Sequence, residues 1–443
     1  MQDHHDANDN KDTVSNKRQR LTGQGDSLMA VTHMIPPSRS LEDMRVRRNL
    51  LEDLALKILY RIGEMSLLEW ARCLKLSLDM VEQLFQRLRK DQLCQVTGMA
   101  GAVFRVATTS AGKSRALELL AQNQYAGPAP VSLEDYVSHI RAQSVRDMTI
   151  TSREVERAFE HLVLHPRMLK RLGTALLSGR AIFLYGPTGT GKTTLAETLI
   201  RVFQHDQVLL PYAVEVEGQI ITVYDSVLHQ RVEHPETLDH DGRWVLCRRP
   251  CVLTGGELTI EMLDLQFNSS TRFYSGPIQM KANNGLLIVD DFGRQRVSPE
   301  ELLNRWVVPL DRQIDFLTLA GGKKIEIPFD LLVVFATNLD PAKMVDEAFL
   351  RRIQTKIKVD FASPEQFREI FRAVCLQSSL PYDPAVVDDL IHIITSEYKE
   401  SLRACYPRDL VRQILCSARY SEKEPSLTRE TIAGACRDYF LTP

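Results

Sequence analysis

The fold is decided by the stretch AIFLYGPTGTGKTT, which occupies residues 181–194. Its apolar half, Ala181 to Tyr185, is typical of a buried strand, and the pattern from Leu195 to Phe203 is typical of a helix. The glycines between them let successive backbone N–H groups turn toward one anion, and the helix N-terminus adds a positive partial charge. The stretch therefore predicts a P-loop in the strand–loop–helix context that this motif requires.

The polar residues of this loop have distinct expected roles. Lys192 is expected to reach the β- and γ-phosphates of a nucleotide, and the Thr193 hydroxyl is expected to bind Mg²⁺. ATP with magnesium is therefore the predicted ligand. The loop residues expected to hold it are Gly186, Pro187, Thr188, Gly189, Thr190, Gly191, Lys192, Thr193 and Thr194.

Two acids follow a second buried strand, in the stretch GLLIVDD at 285–291. A short apolar run that ends in acids predicts a parallel strand whose carboxyl end lies at the P-loop edge of the sheet. Asp290 is expected to hold the Mg²⁺ together with Thr193, directly or through water. Asp291 occupies the place of a general base that polarises the attacking water.

Two further motifs carry groups suited to phosphoryl transfer. The strand LLVVFATN at 331–338 ends in Asn338, which can hydrogen-bond the γ-phosphate or the lytic water. The helix end EAFLRRI at 347–353 carries Arg351 and Arg352. The planar fork of arginine suits the charge that develops on a transferring phosphoryl group.

A last motif, YPRDL at 406–410, opens a helix near the C-terminus and places Arg408 where it could close on the nucleotide. In this order the motifs resemble those of the AAA+ ATPases, over about two-thirds of the chain (152–443). The resemblance implies a doubly wound α/β P-loop NTPase core at 152–361 with a parallel sheet, and a helical lid at 362–443.

The same resemblance implies roles for the later polar residues. Asn338 would be sensor 1, Arg351 or Arg352 the arginine finger, and Arg408 sensor 2. An arginine finger comes from a neighbouring subunit, so the resemblance also implies a ring of identical chains, as a rule a hexamer. The expected activity is hydrolysis of ATP with Mg²⁺.

Within this superfamily the chain is most similar to the MoxR-like group, which shares a series of short motifs in similar order. The stretch from Ile314 to Ile327, with Gly321 and Gly322 at its turn, would be the β-hairpin that such proteins insert before sensor 1. The shared motifs are SGPI at 275–278, LLN at 302–304, PLD at 309–311 and PFD at 328–330.

The acid pair departs from that group, which has Asp-Glu where this chain has Asp290 and Asp291. Aspartate is one methylene shorter than glutamate, so its carboxylate falls about 1.5 Å short unless the backbone moves. A displaced general base can cost about a hundredfold in rate. Hydrolysis is expected here, with slow turnover as the alternative.

A long insertion, 212–284, separates the P-loop from the acid pair. It contains the stretch RFYSG at 272–276, in which Phe273 and Tyr274 precede a glycine. AAA+ remodelling proteins place such aromatics in a central pore to grip a client chain. Packing in a hydrophobic core is the other interpretation, and it is the favoured one.

The segment 46–122 resembles a winged helix in the order and size of its elements. Its third helix carries Asp79 and Glu82 at the end that would enter a DNA groove, and its Arg and Lys residues lie at the far end. Carboxylates facing phosphates reduce affinity for DNA, so a protein-interaction module is favoured over a DNA reader. The predicted elements are helices at 50–62, 66–74 and 77–90 and strands at 92–96 and 103–107.

Two segments are predicted to lack a fold of their own. Residues 1–45 are polar without a sustained period, which predicts a disordered tail. Residues 123–151 contain the Gly127-Pro128-Ala129-Pro130 run and are predicted to be a linker.

Composition limits the class of protein. The chain has 443 residues, a net charge of −2 and 44% hydrophobic residues, which excludes a wholly disordered chain and a polybasic nucleic-acid coat. No apolar window approaches the length of a membrane span and the N-terminus is polar, so a cytoplasmic protein without a transmembrane segment is expected.

The eight cysteines are scattered, which favours reduced thiols. Cys247 and Cys251, with His234 and His240, could supply four zinc ligands. Their spacing matches no standard finger, so a strand or loop is the favoured interpretation.

Three hypotheses describe the work done by this ATPase. The first is a motor or chaperone that remodels a protein partner recognised through 46–145. The second is a DNA-associated ATPase that uses the winged helix as its reader. The third is a nucleotide-gated scaffold that scarcely turns ATP over, which the shorter acid at Asp291 suggests.

Overall fold

The structure, a computed structural model, describes residues 35–179, 181–203, 205–233, 240–341 and 350–440. Helices and strands are numbered here in chain order. The strands are β1 Glu64–Ser66, β2 Cys94–Ala100, β3 Val103–Thr108, β4 Val131–Ser132, β5 Ile182–Tyr185, β6 Gln207–Pro211, β7 Ala213–Val216, β8 Gln219–Thr222, β9 Trp244–Arg248, β10 Cys251–Thr254, β11 Gln266–Asn268, β12 Phe273–Ser275, β13 Leu286–Val289, β14 Ile314–Thr318, β15 Lys324–Pro328, β16 Leu332–Thr337 and β17 Thr355–Lys358. The helices are α1 Arg48–Ile62, α2 Leu67–Leu74, α3 Leu78–Lys90, α4 Ser110–Gln122, α5 Leu133–Ala142, α6 Ser152–Phe159, α7 Pro166–Leu177, α8 Lys192–Leu199, α9 Ile278–Lys281, α10 Pro299–Arg312, α11 Pro364–Gln377, α12 Pro384–His392, α13 Tyr406–Tyr420 and α14 Arg429–Tyr439.

A five-stranded parallel sheet lies at the centre, with the strand order β10-β13-β16-β5-β17. Alternate residues of β5 face opposite sides: Ile182 and Leu184 pack in a cluster with α6, α7 and α8, whereas Phe183 packs in a cluster with α10. Helices therefore cover both faces, as the apolar runs in these strands predict. The predicted fold class, an α/β P-loop NTPase with a doubly wound parallel sheet, is confirmed.

The N-terminal module is built from α1 to α4 and the three-stranded sheet β1-β3-β2. Ser66 caps α2 with a capping box, and the Ser77 hydroxyl caps α3 by accepting from the Met80 amide. Trp70 is fully buried and its Nε1–H donates to the Ala55 carbonyl at 3.1 Å. The predicted three helices and hairpin are present. Strand β1 was not predicted, because three residues are too few to show an alternating pattern.

The predicted tail 1–45 needs correction in its last part. Leu41 is 3% exposed and Met44 is fully buried, and both belong to the hydrophobic core of the N-terminal module. Two apolar residues in a polar stretch form no periodic pattern, so the sequence alone does not reveal this long-range packing. Residues 1–34 lie outside the described residues.

The predicted linker 123–151 is also corrected, because it contains β4 and α5. The Ser132 hydroxyl caps α5 by accepting from the Asp135 amide at 3.0 Å. Tyr136 and Ile140 are fully buried one turn apart, and the Tyr136 hydroxyl accepts from Asn283 Nδ2 at 2.9 Å. The Gly-Pro run before β4 is typical of a loop, and this led to the prediction of a linker where a short amphipathic helix follows.

Four strands of the insertion and the earlier strand β4 form a second five-stranded sheet, β11-β12-β8-β7-β4. The predicted hairpin is β14–β15. Tyr274 is 3% exposed, and its hydroxyl accepts from the Ala320 amide in the hairpin turn at 2.8 Å. Phe273 packs edge-on against Tyr125, with ring centroids 5.6 Å apart. The core interpretation of these aromatics is confirmed, and the pore interpretation is wrong for them.

The C-terminal segment is a bundle of α11, α12, α13 and α14 around its own hydrophobic core. Phe367 and Phe371 of α11 and Leu390 of α12 are fully buried there, with Leu410 and Ile414 of α13. The predicted helical lid therefore has its own core. Within the part of the chain that the structure describes, no helix is long and apolar enough to cross a bilayer.

Candidate nucleotide site

The P-loop connects β5 to α8 and depends on two glycines in left-handed conformations. Gly186 has a φ angle of 143°, and a Cβ there would lie 2.2 Å from the Val359 carbonyl oxygen. Gly189 has a φ angle of 77°, and a Cβ there would lie 2.7 Å from the Cys405 sulfur. A side chain at either position would displace backbone or fill the loop, so glycine is required at both.

Lys192 begins α8 and folds back over the loop. Its Nζ donates to the carbonyl oxygens of Gly186 at 3.0 Å and Pro187 at 2.7 Å. Burial lowers the pKa of the Lys192 ammonium, and the nearby carboxylates of Asp290 and Asp291 oppose that shift. The cation therefore lies between the loop and the acid pair, where a phosphate chain would need it.

Thr193 and Asp290 meet although 97 positions separate them in the sequence. The Thr193 hydroxyl lies 3.0 Å from Asp290 Oδ1 and 2.9 Å from Oδ2, and it donates to this carboxylate. Thr193 is in the first turn of α8, and Asp290 follows β13 directly. Both lie at the carboxyl edge of the central sheet, so the fold joins the two residues that the sequence assigns to the metal.

Asp291 is exposed and has a φ angle of 47°. The next amide, that of Phe292, donates to the Ala336 carbonyl at 2.8 Å, and the Asp291 carbonyl accepts from Arg294 at 2.9 Å. The chain thus turns sharply after the strand. Aspartate and asparagine tolerate this left-handed conformation better than longer side chains do.

Asn338 follows β16 and reaches the P-loop. Its Nδ2 donates to the Thr188 hydroxyl at 3.2 Å. Thr190 stabilises the same loop from within, because its hydroxyl donates to the Pro187 carbonyl at 3.0 Å. The amide of Asn338 is therefore held beside the P-loop.

These residues line one cavity of about 830 Å³ between the core and the lid. The loop from Thr188 to Thr194, both acids, Asn338 and Arg408 all contribute to its wall. Gly186 and Pro187 do not line the cavity; their carbonyl oxygens accept from Lys192 Nζ. The structure thus brings together the loop, the acids, the asparagine and the lid arginine.

The lid contacts the P-loop where α13 begins. The Cys405 amide donates to the Gly189 carbonyl at 3.1 Å. Arg408, one turn into the helix, lines the cavity, and its side chain is 73% exposed. The predicted lid arginine is therefore near the site with room to move.

The arginine pair lies away from this cavity. Arg352 Nε donates to Asp311 Oδ2 at 2.9 Å, at the end of α10, and Arg351 is exposed. Neither residue lines the cavity of its own chain. Glu347, Ala348 and Phe349, the start of that motif, lie outside the described residues.

The apolar end of the cavity was not found from the sequence. One wall comes from the segment before α7 and the first turn of that helix, and the other comes from α11 of the lid. Such a slot suits the flat face of a purine base. Its residues are Leu162, Val163, Leu164 and Met168 on one side and Ile370, Ala373 and Val374 on the other.

The zinc interpretation gains no support from the described residues. Cys247 is fully buried in β9, which pairs with β6. Cys251 begins β10 in the central sheet, and His234 lies outside the described residues. Among the described ranges, no group of three or more His, Cys, Asp or Glu side chains is arranged to hold a metal ion.

Comparison with sequence families gives one partial match. Residues 363–438, within the lid, match a family described as "Domain of unknown function (DUF8689)". Among curated proteins nothing matches the chain.

Comparison with solved structures gives distant similarities. Domain III of the replication initiation protein DnaA from Thermotoga maritima is 14% identical, with a TM-score of 0.37, over 67% of this chain and all of that one. The RuvB Holliday junction branch migration motor of the same organism is 14% identical, with a TM-score of 0.34, over 66% of this chain and 72% of that one. Similarities of this size carry no conclusion about activity.

Proposed function

We propose that this chain is an AAA+ ATPase that binds and hydrolyses ATP with Mg²⁺. The observation that carries the proposal is the contact between the Thr193 hydroxyl and the Asp290 carboxylate, at 2.9 and 3.0 Å, inside the cavity that the P-loop lines. A hydroxyl and a carboxylate beside a P-loop lysine are the groups that hold magnesium on a triphosphate. If the Thr193–Asp290 hydrogen bond only stabilised the fold, it would not have to face an open cavity.

The residues present fit a magnesium ion. Thr193 and Asp290 offer hard oxygen ligands, and Mg²⁺ prefers one or two carboxylates or hydroxyls together with phosphate oxygens and water. The glycine loop, which a Cβ at Gly186 or Gly189 would obstruct, leaves space for phosphates beside them. When bound, the ion would neutralise charge on the β- and γ-phosphates.

The remaining groups divide the work of hydrolysis. Asp291 orients a water molecule, whose oxygen bonds to the γ-phosphorus while the bond to the bridging oxygen of ADP breaks. The proton of that water passes to Asp291 and then to solvent, and ADP and inorganic phosphate are released. Lys192 stabilises the phosphate charge, and Asn338 hydrogen-bonds the γ-phosphate or the water.

The arginine pair supports a shared site between subunits. Arg352 is held by Asp311 outside its own cavity, and Arg351 is exposed beside it. An arginine supplied by a neighbour raises phosphoryl-transfer rates by about 10³–10⁵. We infer that the active form is a ring of identical chains, with a hexamer as the expected size, in which each pair completes the next cavity.

The N-terminal module is proposed to recognise a protein client rather than DNA. Arg87 on α3 is paired with Glu52 at 3.2 Å, so one of the three basic residues of this helix is already neutralised. The tip of the β2–β3 wing, from Thr97 to Phe104, contains no lysine or arginine, and Met99 there is 57% exposed. A neutral, partly apolar wing suits a protein surface better than phosphates.

Turnover by purified variants tests the ATPase proposal. Lys192→Ala is expected to lose ATP binding and hydrolysis, whereas Lys324→Ala, which removes an exposed lysine from β15, should match wild type. Wild-type turnover at the level of Lys192→Ala would remove the enzyme proposal. Retained ATP binding without turnover would instead favour the nucleotide-gated scaffold.

Mixed subunits test the shared site. An Arg351→Ala/Arg352→Ala variant should bind ATP but hydrolyse it at least about a thousandfold more slowly. Mixing it with Lys192→Ala subunits, which keep both arginines, should restore turnover at the mixed interfaces. Full activity of the double arginine variant alone would contradict a shared site.

Duplex DNA binding tests the role of the N-terminal module. Salt-sensitive binding of duplex DNA by the wild type would favour the DNA-associated alternative.

A further inference from the structure

Arg408 needs contacts that set its direction. Its side chain is 73% exposed, and an exposed arginine has many rotamers to choose from. A neighbouring carboxylate supplies one contact: Arg408 Nε donates to Asp409 Oδ1 at 3.2 Å. This contact uses only Nε. The two terminal nitrogens of Arg408 have no partner among the described residues, and they remain available to bind an anion.

The carboxylate of Asp409 is itself held by the last helix. The Tyr439 hydroxyl, at the end of α14, donates to Asp409 Oδ2 at 3.0 Å. One carboxylate oxygen of Asp409 accepts from the arginine and the other from the tyrosine. The Asp409 side chain is 28% exposed, so these hydrogen bonds are partly shielded from water. A single carboxylate therefore joins the end of α14 to the arginine that lines the cavity.

Other contacts hold Tyr439 and the start of α13 in place. The Tyr439 ring packs edge-on against Tyr406 and Phe440, with centroids 5.6 and 5.1 Å away. Burial raises the pKa of the Tyr439 hydroxyl well above its ordinary value, so the hydroxyl stays protonated and able to donate. The start of α13 is fixed to the P-loop by the bond from Cys405 to Gly189.

We propose that Tyr439 and Asp409 are positioning residues that aim Arg408 at the γ-phosphate, so that the last helix of the lid sets how well the site distinguishes ATP from ADP. This inference rests on the proposed function, because Arg408 has this role only if the cavity binds ATP. A purely structural role for the same contacts would stabilise the lid without favouring one nucleotide over the other.

Nucleotide affinities test the proposal. The full chain is titrated calorimetrically with Mg-ATPγS, a slowly hydrolysed ATP analogue, and with Mg-ADP. Tyr439→Phe keeps the ring and removes the hydroxyl; it should weaken ATPγS binding by about three- to tenfold, the size expected for one lost hydrogen bond, and leave ADP binding unchanged. Asp409→Asn should act in the same direction.

Two controls separate positioning from packing. Tyr398→Phe makes the same change in the same aromatic cluster, because the Tyr398 ring lies 4.9 Å from the Phe440 ring, centroid to centroid. The Tyr398 hydroxyl has no hydrogen-bond partner among the described residues, so this variant should leave both affinities unchanged. In an Arg408→Ala background, Tyr439→Phe should have no further effect on ATPγS binding, because both changes act through one group.

Three results would overturn the inference: unchanged ATPγS affinity in both Tyr439→Phe and Asp409→Asn, equal weakening of ATPγS and ADP, or a full additional loss in the Arg408→Ala background. If the wild-type chain binds both nucleotides, any of these results in the variants contradicts the positioning role alone. A wild-type chain that binds neither nucleotide overturns the proposed function as well.

Discussion

Asp291 lies just after β13 with a φ angle of 47°, so its backbone conformation bears on which acid the chain can carry. Side-chain length alone would favour glutamate as the longer general base. The left-handed conformation favours aspartate, because its short polar side chain can bond locally where a longer one meets steric cost. The turn that follows the strand therefore fits an aspartate at 291.

Substitution of Asp291 separates these two effects. Asp291→Glu is expected to lower the free energy of unfolding by about 1 kcal/mol and to give no gain in turnover, because the turn resists the longer side chain. Asp291→Asn, which tolerates the same conformation, should keep wild-type stability and lose turnover. Chemical denaturation and steady-state ATPase assays measure both quantities, and faster turnover in Asp291→Glu would refute this explanation.

The residues that the sequence predicts best are those in local motifs. Asp290 and Asn338 each follow a buried strand directly, and Lys192 and Thr193 begin the helix after the loop that leaves β5. Parallel strands bring such ends to one edge of the sheet. Tyr439 could not be found in this way. Its partner Asp409 is 30 positions away in another helix, and the pairing depends on how the lid helices pack.

At the scale of elements, α1 and α4 are joined by a buried lysine. Lys57 on α1 is 5% exposed, and its Nζ donates to the Asn123 carbonyl at the end of α4 at 3.1 Å. Burial lowers the pKa of Lys57 to about 8, from 10.5. The positive charge faces the negative end of the α4 dipole, which only partly offsets the loss of hydration.

This lysine predicts a pH dependence of stability. Above pH 8 the folded chain has lost the Lys57 proton that the unfolded chain keeps up to about pH 10.5, so raising the pH should stabilise the fold over that window. Relative to Lys57→Met, the wild type should gain up to about 1.4 kcal/mol per pH unit between pH 8 and 10. Urea unfolding at several pH values measures the difference.

An exposed lysine on the neighbouring helix provides the control for this measurement. Lys113→Met removes a charge from the surface of α4 and should show no such trend relative to wild type. A difference between wild type and Lys57→Met that stays constant from pH 7 to pH 10 would show that Lys57 does not titrate in this range.

Helices and strands with their own periodic pattern were predictable, and those that depend on distant partners were not. The hairpin β14–β15 and helices α1 to α3 follow from spacing and turn residues. Strand β4 has two residues and pairs with β7, more than 80 positions later, and β1 has three. Such short strands form because the edge of a partner strand is present. Two or three residues are too few to show the alternating pattern that predicts a strand.

At the scale of the whole molecule, the N-terminal module is packed against the insertion of the P-loop core. Ala213 and Ile220, from β7 and β8, are buried in the core of that module. Arg47 pairs with Glu215 at 3.2 Å, and the Gln124 amide donates to the Thr271 carbonyl at 2.8 Å. The proposed client-binding module is therefore continuous with the core by packing and hydrogen bonds.

The insertion connects this module to the arginine pair. Lys323 in the hairpin turn pairs with Glu217 at 2.6 Å, and buried Asp315 in β14 pairs with Arg305 of α10 at 2.6 Å. The same helix carries Asp311, the partner of Arg352. A continuous set of contacts thus runs from the insertion to the residues proposed to act on a neighbouring subunit.

The most direct measurement is an experimental structure of the chain with Mg-ATPγS. We predict phosphates in the loop formed by 186–193 and a metal ion about 2.1 Å from the Thr193 hydroxyl oxygen, with Asp290 binding it directly or through one water. A nucleotide held elsewhere, or a triphosphate in the loop with Thr193 and Asp290 too far apart to share its metal, would contradict the account.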